Sequence, residues 1–225
     1  FQSATSSSGK QWDFKEDSSL NGNIIDSYDE ETDEYSQDGD VFEIASPILV
    51  GRSGVEEAKK LLTALFSRYE VESGEDVNAG LHVHHEIKDL YEVATEDEIV
   101  MAYLPFQESL YYLVDDWRSS SEYCRKIDPE SKTSGRGIGG GHSGIIFTSY
   151  NTLEFRMKEG LTSVSAILNW IKYTQNIVDA IYQRLTDNLQ KQHEALEKVS
   201  EITTYLMLDM QGLGRDNKTA RERIK

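Results

Sequence analysis

A chain of 225 residues with 38% hydrophobic and 10% aromatic content is long and apolar enough to build one sizeable core, or two small ones. Forty acidic residues against 23 basic give a formal net charge of −17, which repels DNA, RNA and anionic membranes; no basic patch overrides it. Its apolar runs fall far short of the roughly 20 residues that span a bilayer, and its single cysteine, Cys124, supplies neither an intramolecular disulfide nor a zinc framework, so a cytoplasmic protein is expected.

In chain order, residues 1–11 form a polar segment, and a start at Phe1 rather than Met points to a truncated N-terminus. The stretches WDFKEDSSL and VFEIASPILV read as strands separated by an acidic insert, residues 26–40, expected to be a solvated loop. From Ser53 the pattern is helical: Ser53 and Glu56 make a capping box, followed by Val55, Ala58, Leu61, Leu62, Leu65 and Phe66 at helical spacing. GLHVHHEI predicts a short strand. Thr95 and Glu98 open a second helical stretch, with a break expected at Pro105 and apolar positions continuing to Val114 and Trp117.

The Gly-rich loop at residues 134–144 contains Gly135, Gly137 and Gly140 in a formal G-x-G-x-x-G. A strand follows this run instead of preceding it, so it reads as a loop or lid, not a dinucleotide fingerprint. GIIFTSY and TLEFRM are the next strands. Beyond Thr162 or Ser163 the chain is helical almost to its end, with Ile167, Ile171, Val178, Ile181 and Leu185 on one stripe. The body thus covers residues 12–187. Residues 188–225 form a charged helical tail whose apolar edge, including Leu196, Val199 and Leu206, suits a homo-oligomer. This order of elements predicts an α+β fold with a mainly antiparallel sheet.

The polar residues on these strands carry the chemistry. Alternate side chains of a strand share a face, so His82 and His84 project together, about 6.5–7 Å apart, while Leu81 and Val83 face a core and His85 points away from its two neighbours. The same alternation sets Glu154 and Arg156 on one face, with Leu153 and Phe155 behind them. Glu43 likewise projects between Phe42 and Ile44. Taken singly, a strand Glu is more often a solvent-facing residue, and Glu154 with Arg156 more often a surface ion pair. Together, carboxylate, imidazole and carboxylate from three strands of one sheet would suit Mg²⁺ or Mn²⁺.

GLHVHHE, and LEFRMKEGLTSVSAILNWIKYTQNIVDA with EIASPIL and WDFKEDSSL ahead of them, resemble the amidoligase family, relatives of glutamine synthetase and glutamate-cysteine ligase. The resemblance runs from about Trp12 to Ala180. It implies a glutamine-synthetase-like fold, in which a curved antiparallel sheet carries an ATP and divalent-metal site and helices pack behind it. By motif, it implies that Glu43, His82 and Glu154 are metal ligands and that His84 approaches the nucleotide phosphates. It further implies that Arg156 holds the substrate carboxylate or phosphoryl group, that Arg118 reaches phosphate, and that Asp17, with Ser18 and Ser19, borders the amine site.

The implied activity is an ATP-dependent carboxylate–amine ligase acting through an acyl phosphate, its substrates a small-molecule or peptide carboxylate and an amine. The family opens with a strand bearing E-x-E, and residues 1–15 contain no Glu. Either that strand lies outside this sequence or the chain is catalytically incomplete, a non-catalytic structural or binding protein that keeps the fold. A metal-dependent hydrolase using His82, His84 and Glu86 has the right atoms, but the H-E-x-x-H pattern is missing.

Overall fold

The computed structural model describes residues 2–5, 9–16, 25–29, 34–38, 42–69, 71, 73, 75, 78–128 and 142–222. Asp17, Ser18 and Ser19, and residues 134–141 of the Gly-rich loop, lie outside them. The architecture is α+β, with every strand pairing antiparallel.

The first sheet joins β1 (Gln2–Thr5), β2 (Gln11–Glu16) and β5 (Phe42–Ala45) in that order. The strand β1 corrects the expectation of a structureless polar start: Gln2 to Thr5 pair with Phe14 to Gln11, and the neighbouring backbone supplies order that composition does not. A second correction concerns the acidic insert, where β3 (Ile25–Asp29) and β4 (Glu34–Asp38) form a hairpin that sets Tyr28 opposite Tyr35. Ile and Tyr favour extended backbone, so the insert carries strand formers as well as charge.

The third sheet has the order β6-β8-β7 and comprises β6 (Gly80–Glu86), β8 (Thr152–Glu159) and β7 (Ile145–Phe147). Glu43 therefore stands on a strand of a different sheet from His82 and Glu154. The expectation of three strands in one sheet fails because strand partners are chosen by long-range pairing, on which face alternation within one strand is silent.

Helix α1 (Gly51–Arg68) starts before Ser53 and Glu56, so they form no capping box; Val50 is its N-cap residue, and Ser53 Oγ donates back to the Val50 carbonyl at 3.1 Å. Two short helices, α2 (Lys88–Tyr91) and α4 (Asp116–Ser119), flank α3 (Glu96–Tyr111). At α3 the capping box of Thr95 and Glu98 is present, and the helix passes through Pro105 without the expected break, ending at Tyr111 ahead of Val114 and Trp117. The last helix, α5 (Val164–Glu222), is 59 residues long.

The core lies between the third sheet and its helices. Leu153, Phe155 and Met157 of β8 meet Ile99, Tyr103 and Leu110 of α3 and Trp170, Ile177 and Ile181 of α5. Each such side chain, fully buried, contributes roughly 1.5–3 kcal/mol. Phe155 receives the rings of Tyr103 and His85 edge-on, at 6.3 and 5.7 Å. With one face of the sheet held this way, the polar side chains of β6 and β8 lie on the other, beside Ile146 of β7. Among the described residues no helix is long and apolar enough to cross a membrane.

Candidate functional site

Strand β8 runs between β6 and β7, so its polar face has neighbours on both sides. His84 and Ile146 both stand opposite Glu154 in the register. Although it lies on the polar face, Glu154 is only 7% exposed. Its Oε1 is 3.1 Å from His82 Nδ1, 3.8 Å from His84 Nε2 and 3.7 Å from Arg156 Nε. The alternation read from the sequence thus brings His82, His84, Glu154 and Arg156 together, and places His85 behind them.

Burial pushes the Glu154 carboxyl up, but the hydrogen bond from His82 and the charges of His82, His84 and Arg156 bring it below the usual carboxylate value. It is ionised at neutral pH, and an ionised carboxylate only accepts, so the shared proton sits on His82 Nδ1. His84 is anchored from the other side: its Nδ1 lies 3.2 Å from Thr152 Oγ1, itself 2.7 Å from Thr148 Oγ1.

A bulge shapes this face. Between the pairs Leu81–Lys158 and Val83–Phe155, β6 contributes His82 alone while β8 contributes Arg156 and Met157. Strict alternation would put Lys158 beside Glu154 and Arg156. Instead Lys158 Nζ lies over the Trp170 ring, 5.4 Å from its centroid, and pairs with Glu159. The bulge leaves Arg156 as the one basic residue of β8 next to Glu154.

Arg118, from α4, enters the site beneath β6. The residue is 4% exposed, and its Nη2 donates to the Arg156 carbonyl at 2.9 Å. Burial pulls its guanidinium below the usual value; Cys124 opposes this, and the nearby charge of Arg156 adds to it. Its Nε is buried with no hydrogen-bond partner among the described residues.

Several supporting residues escaped the sequence reading. Gly80 is one: a Cβ there would collide with Arg118 Nη2 and lie 3.2 Å from His82 Nε2, so only glycine leaves room for the guanidinium. The signal was its place at the head of G-x-H-V-H. Cys124 holds Arg118 by an Sγ to carbonyl contact of 3.0 Å, and Gln107 secures the following loop through both atoms of its amide on Ile127. His85 joins β6 to α5, its Nε2 2.7 Å from Thr174 Oγ1.

The expected divalent ion fits these residues poorly as they stand. His82 Nδ1 is engaged by Glu154, Glu43 is exposed on another sheet, and among the described residues no three His, Cys, Asp or Glu are arranged to hold a metal ion. Mg²⁺ is usually held by one or two carboxylates with water and substrate phosphates, and the carboxylate on this face that meets both histidines, Glu154, is engaged by His82.

A family model described as "Putative amidoligase enzyme" matches residues 2–137, more than half of the chain. The match includes Glu43, His82, His84 and Arg118 and stops short of β8. No curated protein and no solved structure matches the chain.

Proposed function

This chain belongs to the putative amidoligase enzyme family, and from that premise we propose that it is an ATP-dependent carboxylate–amine ligase with a glutamine-synthetase-like fold, working in the cytoplasm. The observation that carries the reading is the setting of Glu154: one ionised, nearly buried carboxylate bracketed by His82, His84 and Arg156, with the buried guanidinium of Arg118 bound to the backbone of Arg156.

An amide cannot form directly from a carboxylate, because oxide is too poor a leaving group. A carboxylate oxygen of the acid therefore attacks the γ-phosphorus of ATP, the bond to the β-phosphate oxygen breaks, and ADP leaves. The amine nitrogen then attacks the acyl carbon, and the C–O bond breaks toward phosphate. The nitrogen gives up its proton to a carboxylate near the incoming amine, whose site the family resemblance implies Asp17 borders.

Arg156 suits the first step because its fork can meet two oxygens of the transferring group at once. Arg118 is fixed by its backbone bond and adds charge that needs no reorganisation when the reaction occurs. Glu154 holds His82 with its Nε2 directed away from the carboxylate, and His84 faces the same space for the nucleotide phosphates. ATP enters as its magnesium or manganese complex, and none of these roles requires the cation to rest on the chain.

One observation favours a second reading. Glu43 lies on the β1-β2-β5 sheet and does not share a sheet with His82 and Glu154, as suits a binding module that keeps the anion-holding arginines without turnover. The chain expressed from its full reading frame, given ATP, Mg²⁺ and pooled amino acids and polyamines, should release phosphate. ATP binding by calorimetry with no phosphate release for any acid and amine pair would replace the enzyme with the module.

A further inference from the structure

Strands β7 and β8 join through residues 148–151, and this turn is closed twice. Thr148 N–H donates to the Thr152 carbonyl at 3.0 Å, and Asn151 N–H donates to the Thr148 carbonyl at 3.2 Å. Asn151 has a φ of 57°, the left-handed conformation that asparagine tolerates and that hairpin loops of this kind place just before the returning strand. Its carbonyl accepts from Ile87 N–H at 3.0 Å, which ties the turn to the end of β6. The turn thereby holds the hydroxyls of Thr148 and Thr152 side by side, 2.7 Å apart, and sets Thr152 Oγ1 3.2 Å from Nδ1 of His84. Both side chains are β-branched, so their hydroxyls have few rotamers to occupy.

The hydrogens along this row run in one direction, because both of its ends are fixed. One end is a donor, Tyr150 N–H, 3.2 Å from Thr148 Oγ1. The other is an acceptor, the Glu154 carboxylate, 3.8 Å from Nε2 of His84. Between them Thr148 donates to Thr152 and Thr152 donates to Nδ1, which leaves the ring hydrogen on Nε2. In the opposite sense Thr148 would receive two donors, and its own hydrogen would meet no acceptor among the described residues. His84 would also turn a lone pair toward a carboxylate, a repulsive contact.

We propose that Thr148 and Thr152 are positioning residues for His84, holding its ring so that Nε2–H is presented to an anionic oxygen on the polar face. That this oxygen belongs to the phosphates of ATP rests on the ligase reading. The neighbouring imidazole is held the other way: His82 directs its Nδ1 hydrogen to Glu154, so its Nε2 is an acceptor. One carboxylate thus gives the two histidines opposite roles, His82 offering a lone pair and His84 a donor. At 3.8 Å the Glu154 oxygen is too far from His84 for a hydrogen bond, so it orients the Nε2 hydrogen without occupying it. The His84 side chain is 47% exposed and open to a ligand. A phosphate oxygen only accepts, and the other tautomer would meet it with a lone pair.

Proton–nitrogen spectra of histidine-labelled protein, taken above the ordinary imidazole range, read the tautomer directly. The signals of His84 are those lost in His84→Gln. The wild type should carry its hydrogen on Nε2. Thr152→Val keeps the shape and removes the hydroxyl; the tautomers should then mix, and ATP affinity by calorimetry should fall about three- to tenfold, the worth of one hydrogen bond. Thr152→Ser should restore both, which a packing role alone would not do. Thr148→Val cuts the same row one link further from the ring and should also mix the tautomers, so the test stands even where Thr152→Val does not fold. A wild type with its hydrogen on Nδ1, or an unchanged tautomer in the folded valine variants, overturns the proposal. So does an ATP affinity that stays constant while the tautomers mix. A wild type that binds no ATP, yet loses its Nε2–H tautomer in Thr152→Val, supports the positioning and overturns the nucleotide reading instead.

Discussion

Arg118 Nη2 donates to the carbonyl oxygen of Arg156 at 2.9 Å, so a residue of the short helix α4 holds the backbone of the central strand at the point where its register bulges. The two arginines are thereby separable in function: one side chain is committed to the strand, and the other shares the polar face with Glu154.

Arg156→Lys tests that division. Lysine keeps the charge and loses the planar fork, so nucleotide binding should survive while phosphate release falls by two or more orders of magnitude. Calorimetry with ATP beside a phosphate-release assay reads the two separately. Equal, small losses in both would assign Arg156 to binding alone.

Gly80→Ala should be far more damaging than a single methyl suggests. Its Cβ collides with Arg118 Nη2, and the guanidinium is buried, with little freedom to move aside. A loss of about 1–3 kcal/mol in stability is expected, together with weaker binding of ATP. Denaturant unfolding and calorimetry on the same preparation measure both. An unchanged unfolding midpoint would mean that Arg118 can leave its position freely.

The Glu154 carboxyl is kept low by His82 against the pressure of burial. In His82→Ala, desolvation should dominate, and the carboxyl should titrate higher than in the wild type, as read by carbon NMR of labelled glutamate. Because its folded value is depressed, Glu154 contributes stability above the unfolded carboxyl's range and loses it as pH falls through the folded value. The His82→Ala variant should show a smaller loss in that acidic window.

His85 supplies a second pH dependence with its own window. Burial lowers it from 6.5 to about 4, against the opposing effects of Gln175 and Asp179, with His84 adding to the lowering. The unfolded chain takes up a proton below pH 6.5 and the folded chain does not, so stability is complete above 6.5, declines as pH falls and levels off below about 4. The full loss is about 3 kcal/mol. Unfolding free energies of the wild type and His85→Gln between pH 7 and 5, above the range in which Glu154 titrates, should differ in slope, the variant's being flatter. Equal slopes would locate the titration elsewhere.

How much of this was legible in the chain depends on the range of the interaction concerned. Alternation in GLHVHHE and TLEFRM is a property of one strand, so the shared face of His82 and His84, that of Glu154 and Arg156, and the burial of Val83, Leu153 and Phe155 could be read directly. Local hydrogen bonding likewise made the Thr95 to Glu98 capping box readable, and repeated apolar spacing made α5 readable. Pairing between strands is not a local property. It was tertiary structure that put Glu43 on a different sheet, built the acidic insert into a hairpin, and inserted the bulge that turns Lys158 toward Trp170. Arg118 meets Gly80 and Arg156 from 38 residues away in sequence on either side, because the packing of α4 against β8, not a repeating pattern along the chain, determines where its guanidinium lies.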